Sequence, residues 1–220
     1  MKYLVISKKI WEISNFKKLD KRVQFKTKLK NLDLKKIKPQ IIFFIHWSKK
    51  IPRNIFNKYL CIQFHSSSLP YFKGGSPIQN QIIRGLSKTK ISAFKIEENF
   101  DSGKICMKKT LSLKGNASEI FKRIENISIS MINLLIKKKK IKFIKQKNKG
   151  SYYSRRKPNQ SNLIYLKKPN FKKIYDFIRM LDADNYPNAY FEFKEFKLLL
   201  NNAKKYKNSI DGKFKIIKKK

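Results

Sequence analysis

Two continuous apolar runs of strand length, at 41–47 and 60–64, constrain the fold of this chain more than any other feature. The first run reads IIFFIHW, and neither run alternates strictly between apolar and polar residues. Continuous runs of this length are typical of parallel strands that are covered by helices on both faces. A strand-like run at 3–6 and an amphipathic helical pattern at 117–136 continue the alternation of elements. The sequence therefore predicts an α/β fold with a mostly parallel, open sheet.

The distribution of these patterns predicts one larger domain followed by a small appendage. The strand runs and the long helical pattern fall within 1–140, and the lysine-rich stretch 141–160 predicts a linker. Beyond it, a helical pattern at 170–181 and an alternating stretch at 191–200 predict a small C-terminal α+β domain over 161–220. A length of 220 residues suits one compact α/β domain with such an appendage.

Two polar residues stand where a parallel sheet binds its ligands. His65 comes directly after the run at 60–64, and Asp101 lies in a turn after a predicted strand at 89–96. Ligands of open α/β sheets bind beyond the carboxyl ends of the strands. Considered alone, His65 is a structural histidine at a strand end, and Asp101 is a turn residue before a glycine. His46, near the end of the first run, is interpreted as a structural or pocket-wall residue.

Three short motifs follow one another in this part of the chain: QFHSSSLP at 63–70, KGGSP at 73–77 and DSGKI at 101–105. They resemble the formyltransferase family that uses 10-formyltetrahydrofolate. That family has Asn-x-His-x-Ser-x-Leu-Pro, Arg-Gly-x-x-Pro and Asp-x-Gly-x-Ile at similar spacing, and it includes methionyl-tRNA formyltransferases and sugar N-formyltransferases. The resemblance continues to about residue 200, whereas the first 40 residues match poorly and look like a reduced version of the family's N-terminal fold.

The resemblance implies a Rossmann-like catalytic domain and assigns roles to individual residues. His65, Asp101 and Gln63 are implied as catalytic. In this assignment His65 donates a hydrogen bond to the developing oxyanion, and Asp101 orients His65 and takes a proton from the amine. Contacts to the folate are implied for Phe44, Ser67, Leu69 and Gly103. Contacts to the acceptor are implied for Gly74, Gly75 and Arg156, and no metal is expected.

Two positions depart from the family's pattern. Gln63 stands where the family has Asn, so the amide is retained but is carried on one more methylene group. Moving a catalytic group by about 1 Å can cost roughly a hundredfold in rate. Lys73 stands where the family often has Arg, and a lysine cannot make the forked contact of a guanidinium with a carboxylate or phosphate.

The leading expectation is an N-formyltransferase that acts on a small amine, an amino sugar carried on a nucleotide. The stretch MLDA at 180–183 favours this branch, because it looks like a C-terminal element of the sugar enzymes. The alternative is a methionyl-tRNA formyltransferase, which the positive charge favours and the small C-terminal region disfavours. A third hypothesis is a non-enzymatic relative that binds folate or nucleic acid, since Gln63 departs from the catalytic pattern.

The net charge of +40 comes from 54 basic and 14 acidic residues, and only seven of the basic residues are arginine. Lys, Ile, Asn, Phe and Tyr are all abundant, and AT-rich codons encode this set. We therefore interpret the charge as compositional rather than as dedicated nucleic-acid binding, for which arginine is better suited. For the stretch YYSRR at 152–156, nucleotide binding and a solvated linker both stay open.

The remaining features predict a cytoplasmic protein. Cys61 and Cys106 are far apart and form no CxxC pair, so neither a disulfide framework nor a zinc site is expected. A reducing compartment is the default for such a chain. The apolar run at the start is too short for a signal peptide, and no run approaches the roughly 18 apolar residues of a membrane span.

Overall fold

The computed structural model describes residues 2–29, 32–184 and 186–219. Its main sheet contains β1 Tyr3–Ser7, β2 Val23–Lys26, β3 Ile41–Ile45, β4 Leu60–His65, β6 Lys88–Lys95 and β7 Ile105–Ser112. The order across this sheet is β2-β1-β3-β4-β6-β7, and β1 to β4 pair in parallel. β6 is antiparallel to both of its neighbours. The predicted mostly parallel α/β fold is confirmed.

Helices cover both faces of the sheet, which explains the unbroken apolar runs. The helices are α1 Ile13–Phe16, α2 Leu34–Ile37, α3 Arg53–Phe56, α4 Pro77–Ile82, α5 Ala117–Leu135 and α6 Phe171–Arg179, with short 3-10 helices at Pro158–Ser161 and Leu163–Tyr165. Side chains alternate along each strand, so Phe43 packs in the cluster that contains α5, and Phe44 packs against residues of α2 and α3. Every residue of β1 and β3 is buried.

The long helix α5 confirms the helical pattern predicted at 117–136 to within one residue. Its start is fixed by a capping box in which the Asn116 side chain accepts from the Glu119 N–H at 3.0 Å. The Glu119 carboxylate in turn accepts from the Asn116 N–H at 3.0 Å. Reciprocal caps of this kind satisfy two backbone donors that the first turn leaves free.

The stretch predicted as a linker runs along the larger domain. Ile144 exchanges backbone hydrogen bonds of 2.8 Å with Ile105 at the start of β7. Farther on, β8 (Tyr152–Tyr153) pairs in parallel with β5 (Lys73–Gly74). Through these pairings the stretch packs next to the site described below. The division of the chain near 140 and 160 stays a prediction.

The C-terminal region contains a separate antiparallel sheet with the order β11-β10-β9. Its strands are β9 Ala189–Phe193, β10 Phe196–Lys205 and β11 Ile210–Lys218. The stretch 191–200, which was predicted as a strand or hairpin arm, spans the end of β9 and the first half of β10, and the chain turns between them at Lys194, which has a φ of 44°. β11 is almost wholly exposed although it carries Phe214, Ile216 and Ile217, and its pairing with β10 defines it. No helix in the described ranges is long and apolar enough to cross a membrane.

Candidate active site

The carboxyl ends of β1, β3 and β4 meet at one edge of the main sheet and border a cavity of about 410 Å³. Because parallel strands end at the same edge, residues distant in sequence reach this cavity together. Of the residues to which the resemblance assigned a catalytic or binding role, five lie in its lining: His65, Asp101, Gln63, Gly74 and Gly75. The geometry of these residues decides what chemistry the cavity can support.

His65 and Asp101 are neighbours in the cavity, and both are buried. The Nδ1 atom of His65 lies 3.6 Å from the Oδ2 atom of Asp101, which is longer than a hydrogen bond. The Nε2 atom lies 2.7 Å from the Phe72 carbonyl oxygen, which only accepts, so Nε2 carries a hydrogen. Nδ1 then carries a second hydrogen only when the ring is charged. A hydrogen on Nδ1 therefore belongs to a charged ring that faces the Asp101 carboxylate.

The turn that carries Asp101 is fixed from several sides. Asp101 has a φ of 52°, in the left-handed region, and its Oδ2 accepts a 2.8 Å hydrogen bond from the Gly74 N–H. The side-chain amide of Gln146 donates to the carbonyl oxygens of Asp101 and Gly103, each at 2.9 Å. A Cβ on Gly103 would lie 1.7 Å from the Lys95 carbonyl oxygen, so only glycine allows this close approach. The carboxylate is therefore held in one position.

Gln63 lies beside the pair at the end of β4. Its amide nitrogen donates a 3.1 Å hydrogen bond to the Trp47 carbonyl oxygen. A glutamine amide has two N–H groups, so one donor and the amide oxygen remain for a ligand. The extra methylene relative to Asn is accommodated by this contact with the loop after β3.

Gly74 and Gly75 form the wall where β5 meets β8. Gly74 has a φ of 90°, and a Cβ there would lie 2.3 Å from the Tyr153 carbonyl oxygen. A Cβ on Gly75 would lie 2.4 Å from the Cα of Arg155. Both glycines are thus required by the close approach of the two strands, whatever else they contact.

The remaining singled-out residues lie outside the cavity lining. These are Phe44, Ser67, Leu69, Gly103 and Arg156. Phe44, Ser67 and Leu69 have no exposed surface, and the Ser67 hydroxyl donates to the Tyr71 carbonyl oxygen at 2.6 Å. Gly103 supports the turn of Asp101, and Arg156 borders a different cavity, while Arg155 borders this one. The structure brings none of the five into the cavity, so their ligand contacts stay predictions that this geometry does not support.

Several wall residues were missed in the sequence. Trp11 and Trp47 follow the ends of β1 and β3, while Phe121 and Tyr186 come from α5 and the C-terminal region. Trp11 stacks on Phe121 with the ring centroids 4.4 Å apart. Trp11 and Trp47 stand just after apolar strand runs, as His65 stands at the end of one, so the sequence carried a signal for both tryptophans. Phe121 and Tyr186 carry no such signal, because only the tertiary fold brings them to the wall.

The buried carboxylate of Glu125 fixes the segment that follows β1 and forms part of the cavity wall. Glu125 has 0% exposed surface and accepts from the backbone N–H groups of Trp11 at 2.6 Å and Glu12 at 2.9 Å. Burial raises the pKa of Glu125.

His46 also lines the cavity, and its Nε2 atom lies 3.8 Å from the Glu125 carboxylate. Burial lowers the pKa of His46 to about 4. His46 is therefore neutral near pH 7 and serves as part of the wall.

Comparison with known families places two matches along the chain. The family model described as "Formyl transferase" matches residues 5–127. A second, described as "Methionyl-tRNA formyltransferase, C-terminal domain", matches residues 158–217. Among curated proteins, the methionyl-tRNA formyltransferase of Kosmotoga olearia is 27% identical over 158 residues, covering 69% of this chain and 50% of that protein. The chain thus spans about half the length of the curated relatives that it matches first.

Solved structures give a closer overall match. The methionyl-tRNA formyltransferase from Clostridium thermocellum is 37% identical with a TM-score of 0.92, and the match covers 99% of both chains. A 4-N formyltransferase from Francisella tularensis is 21% identical with a TM-score of 0.69, covering 86% of this chain and 91% of that one. At that identity the second match shows a shared fold alone.

Proposed function

This chain belongs to the formyl transferase family, and on that premise we propose that it transfers a formyl group from 10-formyltetrahydrofolate to the amino group of methionyl-tRNA. The observation that carries the proposal is the His65–Asp101 pair, 3.6 Å apart in a cavity at the strand ends of the matched domain. A cytoplasmic location would supply both substrates.

The choice of acceptor follows from the relatives rather than from the motifs. The curated relatives and the full-length match from Clostridium thermocellum are methionyl-tRNA formyltransferases, which the sequence had offered only as the alternative. The element MLDA at 180–183 pointed to amino sugars. Met180 and Leu181 are buried in the core, and the Asp182 carboxylate accepts from the Asn202 N–H at 2.9 Å. This element joins α6 to the C-terminal sheet and carries no information about the acceptor.

The cavity lining fits the chemistry of a folate. Its volume of about 410 Å³ lies within the range of small-molecule sites. Trp11, Trp47 and Phe121 offer flat aromatic surfaces, and the indole N–H groups of both tryptophans are buried without partners in the described part of the chain. Lys9 and Arg155 provide positive charge for carboxylates. These residues would hold the ring system and the acidic tail.

The donor supplies an electrophilic formyl carbon, which the amine nitrogen attacks to form a tetrahedral intermediate. The bond to the donor's nitrogen then breaks, and that nitrogen takes up a proton as tetrahydrofolate leaves. The chain must hold the amine, accept its proton, return a proton to the departing nitrogen and stabilise negative charge on the carbonyl oxygen. Asp101 is the proton acceptor, because its Oδ2 faces the cavity and is held by the Gly74 N–H at 2.8 Å. Its second oxygen makes no hydrogen bond within the described residues.

His65 and Gln63 act on the carbonyl oxygen and on the proton. The bond from Nε2 to the Phe72 carbonyl fixes the ring, so Nδ1 is the atom that exchanges a proton with Asp101. In its charged form Nδ1–H places a positive donor at a buried position, where it stabilises developing negative charge. The free N–H of Gln63 provides a second donor.

The proposal is tested by formyl transfer itself. The purified chain is incubated with 10-formyltetrahydrofolate and methionyl-tRNA, with amino-sugar nucleotides in parallel, and tetrahydrofolate release is measured. We expect release that depends on methionyl-tRNA, is lost in His65→Ala and is kept in Lys139→Ala, an exposed position away from the cavity. Release with an amino sugar alone would replace the acceptor. Release from neither, with folate still bound, would favour the non-enzymatic relative.

A further inference from the structure

A second cavity, of about 720 Å³, is lined by residues next in sequence to those of the first. Both β8 and α4 contribute residues to the two cavities. Along 152–156, Tyr152 and Arg155 line the first cavity, whereas Tyr153, Ser154 and Arg156 line the second. The proposed formyl transfer makes no use of this second space.

The second cavity is lined by positive charge without counter-charge. Arg84, Arg156, Lys167 and Lys173 border it, and no Asp or Glu in the part of the chain that the structure describes does so. None of these four cations forms an ion pair with a described residue. Burial lowers the pKa of Arg156, and the nearby charge of Arg84 lowers it further. A bound anion would relieve both effects.

The two guanidinium groups are already positioned. Arg84 donates from Nη1 to the Asn80 carbonyl oxygen at 2.8 Å, and its Cζ lies 4.2 Å from the centre of the Tyr153 ring. Arg156 donates from Nη2 to the Gln160 carbonyl oxygen, and its Nε is buried without a partner among the described residues. Arginines held in this way lose little freedom on binding, and their planar forks match phosphate oxygens.

An aromatic platform lies beside these charges. Tyr165 lines the same cavity and is 68% exposed, although it belongs to a short 3-10 helix with a buried neighbour, Leu163. The Tyr153 ring is not the platform, because Phe72 stacks on it with the two ring centroids 5.0 Å apart. An exposed aromatic ring next to positive charge is the combination that binds a base and its phosphate together.

We propose that this second cavity binds a nucleotide unit, with its phosphate at Arg84 and Arg156 and its base against Tyr165. The site is separate from the His65–Asp101 cavity and does not require formyl transfer. The shared chemistry, one base with one phosphate, can come from a free nucleotide or from a single-stranded nucleic acid.

Binding of adenosine 5′-monophosphate, measured by equilibrium dialysis on the full chain without a formyl donor, tests the proposal. We expect it to bind at least tenfold more tightly than adenosine or ribose 5-phosphate. The double variant Arg84→Gln/Arg156→Gln should lose roughly tenfold or more in affinity. The matched control Lys139→Gln/Lys140→Gln removes the same charge at exposed positions and should bind normally.

Tyr165→Ala is a second variant at an exposed position, which should lower affinity for the nucleotide and leave ribose 5-phosphate unchanged. A short oligoribonucleotide distinguishes the two sources: tighter binding than the mononucleotide indicates nucleic acid, and equal binding indicates a free nucleotide. Equal affinity of the double variant and the control, or no binding of either probe, overturns the proposal. His65→Ala should bind normally, so failure of formyl transfer would leave this result intact.

Discussion

Replacing Asp101 with asparagine and with alanine separates the charge of this residue from its structural contact. In Asp101→Asn the side-chain oxygen can still accept from the Gly74 N–H, which the carboxylate contacts at 2.8 Å. Hydrogen bonds to charged acceptors are worth about 1 kcal/mol more than neutral ones, so Asn should lower the free energy of unfolding by ~1 kcal/mol. Asp101→Ala leaves that N–H without its partner and should cost ~2 kcal/mol.

Activity should follow a different order. Both variants lack the carboxylate that accepts the amine's proton, and a positioned general base contributes roughly 10²–10⁴ in rate. We therefore expect kcat to fall by about a thousandfold in both variants, although only Ala carries the larger loss of stability. Rates are measured as tetrahydrofolate release at saturating acceptor, and stability is measured by urea unfolding.

Asp20→Asn is the matched control, because Asp20 is a carboxylate paired with Arg22 outside the cavity lining. It should leave the rate unchanged. Activity of Asp101→Asn within about threefold of the unmodified chain would refute the role of Asp101 as the proton acceptor. Equal stability of the Asn and Ala variants would refute the structural part of the reasoning.

Three further perturbations test the surroundings of the pair. Gln63→Asn shortens the side chain and should lose the 3.1 Å hydrogen bond to the Trp47 carbonyl oxygen. The free energy of unfolding, measured with urea, should fall by ~1 kcal/mol, and kcat, measured from initial rates, should fall by roughly tenfold or more. Gly103→Ala places a Cβ 1.7 Å from a backbone carbonyl and should cost ~3 kcal/mol and most activity. The control Gly85→Ala, with 3.7 Å of space but a φ of +84°, should cost ~1 kcal/mol and keep activity. Burial raises the pKa of Glu125, so above pH 4.5 the folded chain retains a proton that the unfolded chain releases. Unfolding free energy should therefore fall as pH rises through the raised pKa, and Glu125→Gln should remove that component of the slope in urea titrations between pH 4.5 and 8.

Local patterns in the sequence determined the architecture and the family. Unbroken apolar runs predicted the buried strands because a strand covered on both faces has no polar side. The spacing of apolar residues predicted α5 to within one residue, and three motifs between residues 63 and 105 predicted the family that the comparisons confirm. The position of His65 also followed, since it ends a parallel strand. Asp101 follows β6, which is antiparallel to β4, so the rule for parallel strands did not place it. The catalytic roles of both residues stay predictions.

The tertiary structure alone decided which side chains share a space. Phe121 and Tyr186 reach the cavity from α5 and the C-terminal region, and no local pattern links them to β1. Arg155 lies at the first cavity and Arg156 at the second, because β8 pairs with β5 from a distant part of the chain. β11, too, exists through its pairing with β10. The periodicity of apolar residues indicates which face of a helix or strand is buried, whereas long-range pairing decides which residues that face contacts.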